Sequence, residues 1–142
     1  MLFDTCHIGG INAACPIVRS ATFEGMADEN GRPAERLAKT YETLADGGAG
    51  IIITGMMAVS PLEPYQHRQV RIDTDNCIAP LARMVQRVHS HGGKIIAQLV
   101  VMGSSIMLPE GKNRIIVSPS GVTEELGKII QESQALTKEQ IS

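Results

Sequence analysis

The sequence predicts an α/β fold of parallel strands joined by crossover helices, and three observations carry that expectation. Short apolar runs alternate with amphipathic stretches along the chain. The later runs are nearly continuous and rich in β-branched residues, as strands buried on both faces of a parallel sheet require. Glycines bound the runs and end the stretches, at Gly50 and Gly55, Gly47-Gly48 and Gly92-Gly93.

Each element follows from its own residues. The first run, Ile17-Val18-Arg19-Ser20-Ala21-Thr22, comes after Pro16 and reads as a strand. Asn30-Gly31 makes a turn, and Pro33 suits the first position of a helix reaching Asp46. Leu37, Tyr41 and Leu44 recur on one face of that helix, with Ala34, Ala38 and Ala45 beside them. The second strand is Ile51-Ile52-Ile53-Thr54. Asp75 or Asn76 caps a second helix whose apolar face is Ile78, Leu81, Ala82, Val85 and Val88, and His91-Gly92-Gly93 ends it. Ile95 to Val101 is the third strand, so the order is β-α-β-α-β. Its units have the size of a barrel or doubly wound repeat.

The remainder is less regular. Residues 103–123 are rich in glycine, serine and proline and form a long loop, with Arg114 to Val117 as a candidate hairpin arm. Leu126, Ile129 and Ile130 are spaced for a short helix over Glu124 to Ser133. Thr137-Lys138-Glu139-Gln140 has the form of a capping box, a helix start with only Ile141 and Ser142 after it. That arrangement predicts a chain that stops inside a larger architecture.

Composition narrows the function. The 142 residues are 43% hydrophobic and 20% charged with a formal net charge of −2, ordinary for a globular protein. Near-neutral charge argues against a phosphate-binding basic stripe, and four aromatic residues (two Phe, two Tyr) give no base-stacking platform. Three dispersed cysteines make neither a zinc knuckle nor a disulfide framework, and no basic-then-apolar leader opens the chain. A reducing cytoplasm is the expected compartment. No G-x-G-x-x-G follows a strand, and neither a P-loop nor a G-x-S-x-G elbow occurs. His89 and His91 face different ways on a helix and suit its C-terminal dipole better than a metal. Cys6-His7 precedes all regular structure and reads as incidental.

Gln98 stands out as an amide within an apolar strand, offering both a donor and an acceptor to a heterocycle edge. The other reading is an amide bonded to a neighbouring strand or loop carbonyl. Ser20-Ala21-Thr22 ends the first strand and Thr54-Gly55-Met56 the second, and strand carboxyl ends are where such folds gather their sites. Serine and threonine also end strands for purely local hydrogen-bonding reasons.

Three blocks in order resemble one family. They are Ile17 to Thr22 with Glu24-Gly25-Met26-Ala27-Asp28-Glu29-Asn30-Gly31-Arg32-Pro33, Gly47 to Gly55 with Val59 and Pro61, and His89 to Lys94 leading into Ala97-Gln98-Leu99. They resemble the opening of the NADH:flavin oxidoreductases of the old yellow enzyme family, across nearly the whole chain. The resemblance implies the N-terminal βαβαβ part of a (βα)8 TIM barrel, with residues 1–142 a single partial domain and 103–136 a loop or insertion. It also implies FMN at the strand ends, NAD(P)H as electron donor and a small electron-poor alkene or related acceptor as substrate.

The FMN contacts so implied are Ser20, Ala21 and Thr22 near the flavin N5/O4 edge, Gly55 and Met56 along the ring, and Gln98 at the pyrimidine edge. Two departures stand out. Cys15-Pro16 replaces the usual Asn-Arg, and Val101 and Gly103-Ser104 stand where a His and a Gly-Arg pair are common. The substrate ligands, proton donor and phosphate loops of the family would lie later than Ser142, so no catalytic residue is expected here. These residues alone are then expected not to catalyse hydride transfer. An inactive fragment that self-associates through open sheet edges is the alternative.

Overall fold

The computed structural model describes residues 1–60, 66–101, 117–121, 123–126 and 129–141. The chain divides into two compact units, Met1–Val59 with Gln66–Val100, and Ser60–Tyr65 with Val101–Ser142.

The first unit opens with a hairpin of β1 (Cys6–Ile8) and β2 (Ile11–Ala13), turned by Gly9 and Gly10, both at positive φ. Cys6-His7 therefore lies in a strand, contrary to expectation, and His7 Nδ1 meets Asn12 Oδ1 at 2.7 Å. The central sheet contains β3 (Val18–Arg19), β4 (Ile51–Ala58), β5 (Val70–Arg71) and β6 (Lys94–Val100). β4 pairs in parallel with each of the other three. The expected parallel neighbours, the second and third apolar runs, are thus adjacent with Ile51 opposite Lys94. β3 is shorter than predicted, because after Arg19 the chain leaves the ladder. β4 is longer and continues past Gly55 to Ala58.

α1 spans Glu35–Asp46, starting two residues after Pro33. Pro33 is held back by an antiparallel bridge to Ala27, across a turn in which Gly31 takes φ +75° and the Asp28 carboxylate accepts two backbone N–H groups. Leu37, Ala38, Tyr41 and Ala45 face the sheet as expected. Gly47 and Gly48 close the helix, and Ala49 N–H reaches back to the Leu44 carbonyl at 3.1 Å.

A short 3₁₀ turn, Asp75–Cys77, leads into α2 (Ile78–Ser90), and Thr74 caps that turn rather than Asp75 or Asn76. The buried stripe also differs. Met84 and Val88 are buried, Leu81 packs against them, and Ile78 is 63% exposed with Ala82 also at the surface. Cys77, Leu81, Met84 and Val88 share one face at helical spacing, and Met84 lies in the same core cluster as Leu37, Ala38 and Tyr41 of α1. Pro80 is the third residue of α2, where a missing N–H costs nothing.

β6 departs most from expectation. Its apolar residues predict burial on both faces, yet Ile96, Leu99 and the following Val101 are exposed. β4 covers one edge of β6, and no described strand pairs with the other.

In the second unit β7 (Val117–Ser118) pairs in parallel with β10 (Gln134–Ala135). Arg114 to Ile116, and most of the predicted loop, lie outside the described residues. The stretch expected as a helix over Glu124 to Ser133 is instead an antiparallel hairpin, β8 (Thr123–Leu126) and β9 (Ile129–Glu132). Gly127 at its middle and the β-branched Ile129-Ile130 disfavour helix there. α3 (Lys138–Ile141) starts directly after Thr137, whose side chain bonds Glu139.

Candidate functional site

One irregularity interrupts the ladder between β4 and β6. Ile53 pairs with Ile96 and Met56 with Gln98, so Thr54 and Gly55 together face Ala97 alone. This is a β-bulge, a device common beside functional sites because it re-aims the chain. The buried Thr54 hydroxyl accepts the Gln98 N–H at 3.1 Å and donates to the Gly55 carbonyl at 2.9 Å. A side-chain oxygen thus replaces the ladder acceptor that the bulge displaces.

A buried polar cluster ties β3 to β4 beside the bulge. Arg19 donates to the Ile53 carbonyl at 3.0 Å and to Glu24 Oε1 at 2.5 Å. Its guanidinium lies 5.6 Å from the centre of the Tyr41 ring, a cation–π contact. Tyr41 donates to Glu24 Oε2 at 3.1 Å and accepts the Gly55 N–H at 2.9 Å. Burial, with the Glu24 carboxylate adding to it against the opposing pull of the Gly55 N–H, pushes the Tyr41 hydroxyl up to about 12. It stays protonated and keeps its donor role.

Gly55 is needed by this packing. A Cβ there would stand 2.5 Å from Glu24 Oε2 and 2.6 Å from the Thr22 carbonyl oxygen. Its N–H and carbonyl already have internal partners, so its contribution to the rim is close approach rather than a hydrogen bond.

Of the six residues predicted to line a cofactor, Met56 and Gln98 are opposite each other in the ladder, and Thr22 lies against Gly55. Ser20 and Ala21 belong to the segment between Arg19 and Thr22, past the end of the β3 ladder. Gln98 is exposed, so no desolvation penalty attaches to its amide in this chain. Thr22 donates to the Ser20 carbonyl at 3.4 Å and is exposed, as is Ser20. Met56 and Ala21 are half-buried, and the Ser20 and Thr22 hydroxyls and the Gln98 amide are groups of the kind that a polar heterocycle edge takes. Among the described residues no group of three His, Cys, Asp or Glu could hold a metal ion.

Sequence reasoning passed over Arg19 and Glu24 as site-building residues, named Thr54 only as part of a strand end, and took Tyr41 for core alone. Two signals were present: a charged Arg inside an apolar run, and a phenol on an apolar helix face, whose hydroxyl needs a partner when buried.

The model of the NADH:flavin oxidoreductase / NADH oxidase family matches residues 1–142. The chain belongs to this family. It is 33% identical over 125 residues to N,N-dimethylglycine/sarcosine dehydrogenase of Chromohalobacter salexigens, covering 87% of this chain and 18% of that protein. It is 30% identical over 142 residues to NADPH dehydrogenase of Halalkalibacterium halodurans, covering 99% of this chain and 40% of that protein. The chain thus spans well under half the length of these relatives.

Solved structures agree on architecture. The old yellow enzyme homologue from Zymomonas mobilis matches with TM-score 0.78 at 25% identity, over 99% of this chain and 41% of that one. Old Yellow Enzyme from a Pichia species matches with TM-score 0.84 at 24% identity, over 99% and 38%, and speaks for the fold alone. The parallel β-α-β-α-β sheet is therefore the N-terminal part of a (βα)8 barrel, and not of a doubly wound sheet. The expected family and fold class are both found.

Proposed function

We propose that residues 1–142, one partial domain of the barrel, form one side of an FMN pocket in an NAD(P)H:acceptor oxidoreductase of ene-reductase type. The observation that carries this reading is the bulge. There Gln98 stands across from Met56, and Gly55 lies bare against Thr22, which supports one rim shared by the ends of three strands. Gln98 would bond the pyrimidine edge, Met56 and Gly55 would face the ring, and Ser20, Ala21 and Thr22 would meet the N5/O4 edge. Bound FMN supplies hydride transfer from a nicotinamide nucleotide to a small electron-poor alkene or related acceptor. This chain's residues hold and orient the ring. Three free thiols suit a reducing cytoplasm.

Purification under native conditions, with an absorption spectrum and intact mass, tests the reading. A visible flavin band that survives gel filtration, or returns on adding FMN, is the expected result. A colourless protein that quenches no FMN fluorescence would reject it.

One observation favours a second reading, a catalytically inactive module that self-associates. Ile96 and Leu99 are exposed on β6, whose outer edge pairs with no described strand. Light scattering separates the two. A monomer across concentration would remove the second reading.

A further inference from the structure

The residues assigned to the N5/O4 edge have no sheet to hold them. β3 ends at Arg19, and its ladder to β4 stops at Arg19 opposite Ile52. Ser20 to Phe23 leave the sheet at the point where a ring contact needs a fixed main chain. The two residues that bracket this segment are Arg19 and Glu24, and they bond each other at 2.5 Å. That bond closes a small loop at its base. The loop is then fastened to the sheet at separate points. Arg19 bonds the Ile53 carbonyl of β4, and Glu24 Oε2 takes the Tyr41 hydroxyl, which itself takes the Gly55 N–H. Tyr41 is 1% exposed, and the side chains of Arg19 and Glu24 are 18% and 9% exposed, so water competes little for these bonds.

We propose that Glu24 and Tyr41 are positioning residues that set the height of the Ser20–Thr22 main chain above the bulge, and through it the fit of the flavin edge. They act through the loop, and neither is assigned a contact with the ring. The proposal rests on the flavin reading above. The chemistry suits the task. A carboxylate with one oxygen on Arg19 and the other on Tyr41 fixes both in direction, and a phenol that stays protonated links that carboxylate to the β4 backbone. Gly55 completes the arrangement, since any side chain there would push Glu24 and Thr22 away.

The test compares the wild-type chain with Tyr41→Phe, Glu24→Gln and Glu24→Ala. Each is titrated with FMN, followed by fluorescence quenching and by the shape of the visible flavin band, and amide hydrogen exchange is measured on the flavin-free proteins. Tyr41→Phe keeps the ring and its packing, and Glu24→Gln keeps shape and one acceptor, so at least one variant will fold. We expect about three- to tenfold weaker FMN binding and an altered band in Tyr41→Phe and Glu24→Ala. Glu24→Gln should retain part of both. Exchange should quicken at residues 20–25 and at Gly55, while Ile51 to Ile53 stay protected. Unchanged affinity and band in variants with loosened exchange would overturn the proposal and leave the flavin reading standing. Weaker binding with unchanged exchange at 20–25 would also overturn it, because the effect would then bypass the loop. A wild-type chain that binds no FMN would reject the flavin reading, and this proposal with it.

Discussion

The Gly55 N–H donates to the hydroxyl of Tyr41 at 2.9 Å, so a helix side chain takes a strand amide at the point where that strand bulges. The bond needs a bare Cα at 55. Gly55→Ala would place its methyl 2.5 Å from Glu24 and 2.6 Å from the Thr22 carbonyl, closer than Cβ atoms approach such neighbours. We expect a loss of about 1–3 kcal/mol in stability, as for overpacked cores. Urea denaturation of the two proteins measures it, and equal midpoints would show that the loop yields without cost.

Tyr41 also gives the fold an alkaline limit. Its hydroxyl ionises at about 12 in the folded chain against 10.0 for an ordinary tyrosine. The folded state thus holds the proton more tightly than the unfolded state. Its stabilising contribution is complete below pH 10 and is lost as pH rises from there through 12, a loss of about 2–3 kcal/mol. Denaturation midpoints at about pH 9 and pH 11.5 should fall less for Tyr41→Phe than for wild type. Parallel falls would assign the alkaline sensitivity to other groups.

Gln98 separates binding from folding. Its N–H is taken by Thr54, while its side chain is exposed. Gln98→Leu should leave the melting temperature unchanged and weaken FMN retention roughly ten- to hundredfold, the cost of stranding ring donors and acceptors. Retained affinity would make this amide a surface group.

The register of α2 can be checked by a pair of truncations. Met84 is 1% exposed and packed in the core, whereas Ile78 is 63% exposed. Met84→Ala should cost about 2–5 kcal/mol, and Ile78→Ala should stay within about 0.5 kcal/mol. Comparable losses would mean that Ile78 is covered in solution.

What the sequence disclosed was mostly local. Helix α1 carries its apolar face, its terminating glycines and its neighbouring strand β4 within one continuous stretch, and all three were legible. The apolar face of α2 was read partly out of phase, because Met84 was passed over in favour of branched residues at Ile78 and Val85. Leu126, Ile129 and Ile130 fit a helical face and a hairpin equally well, and pairing between strands decides between them. β6 looks like a core strand by composition, but composition does not record which edge has a neighbour. At the site, Gln98 and Met56 could be nominated one at a time, while the bulge that sets them opposite each other is a property of two strands. Glu24 was least visible, since its partners Arg19, Tyr41 and the Gly55 backbone meet only after the chain has folded.

The two residues that face Ala97 also fix the spelling of β4. Side chains along a strand alternate between faces, so one supernumerary residue reverses the parity of everything downstream. Met57 and Ala58 point to opposite faces of β4 and both are buried, and which face each one takes is set by Thr54 and Gly55 counting together as one step of the partner strand. Deleting either would restore a regular ladder and at the same time exchange the faces that Met57 and Ala58 occupy. Here the protein tolerates a changed letter more easily than a changed letter count.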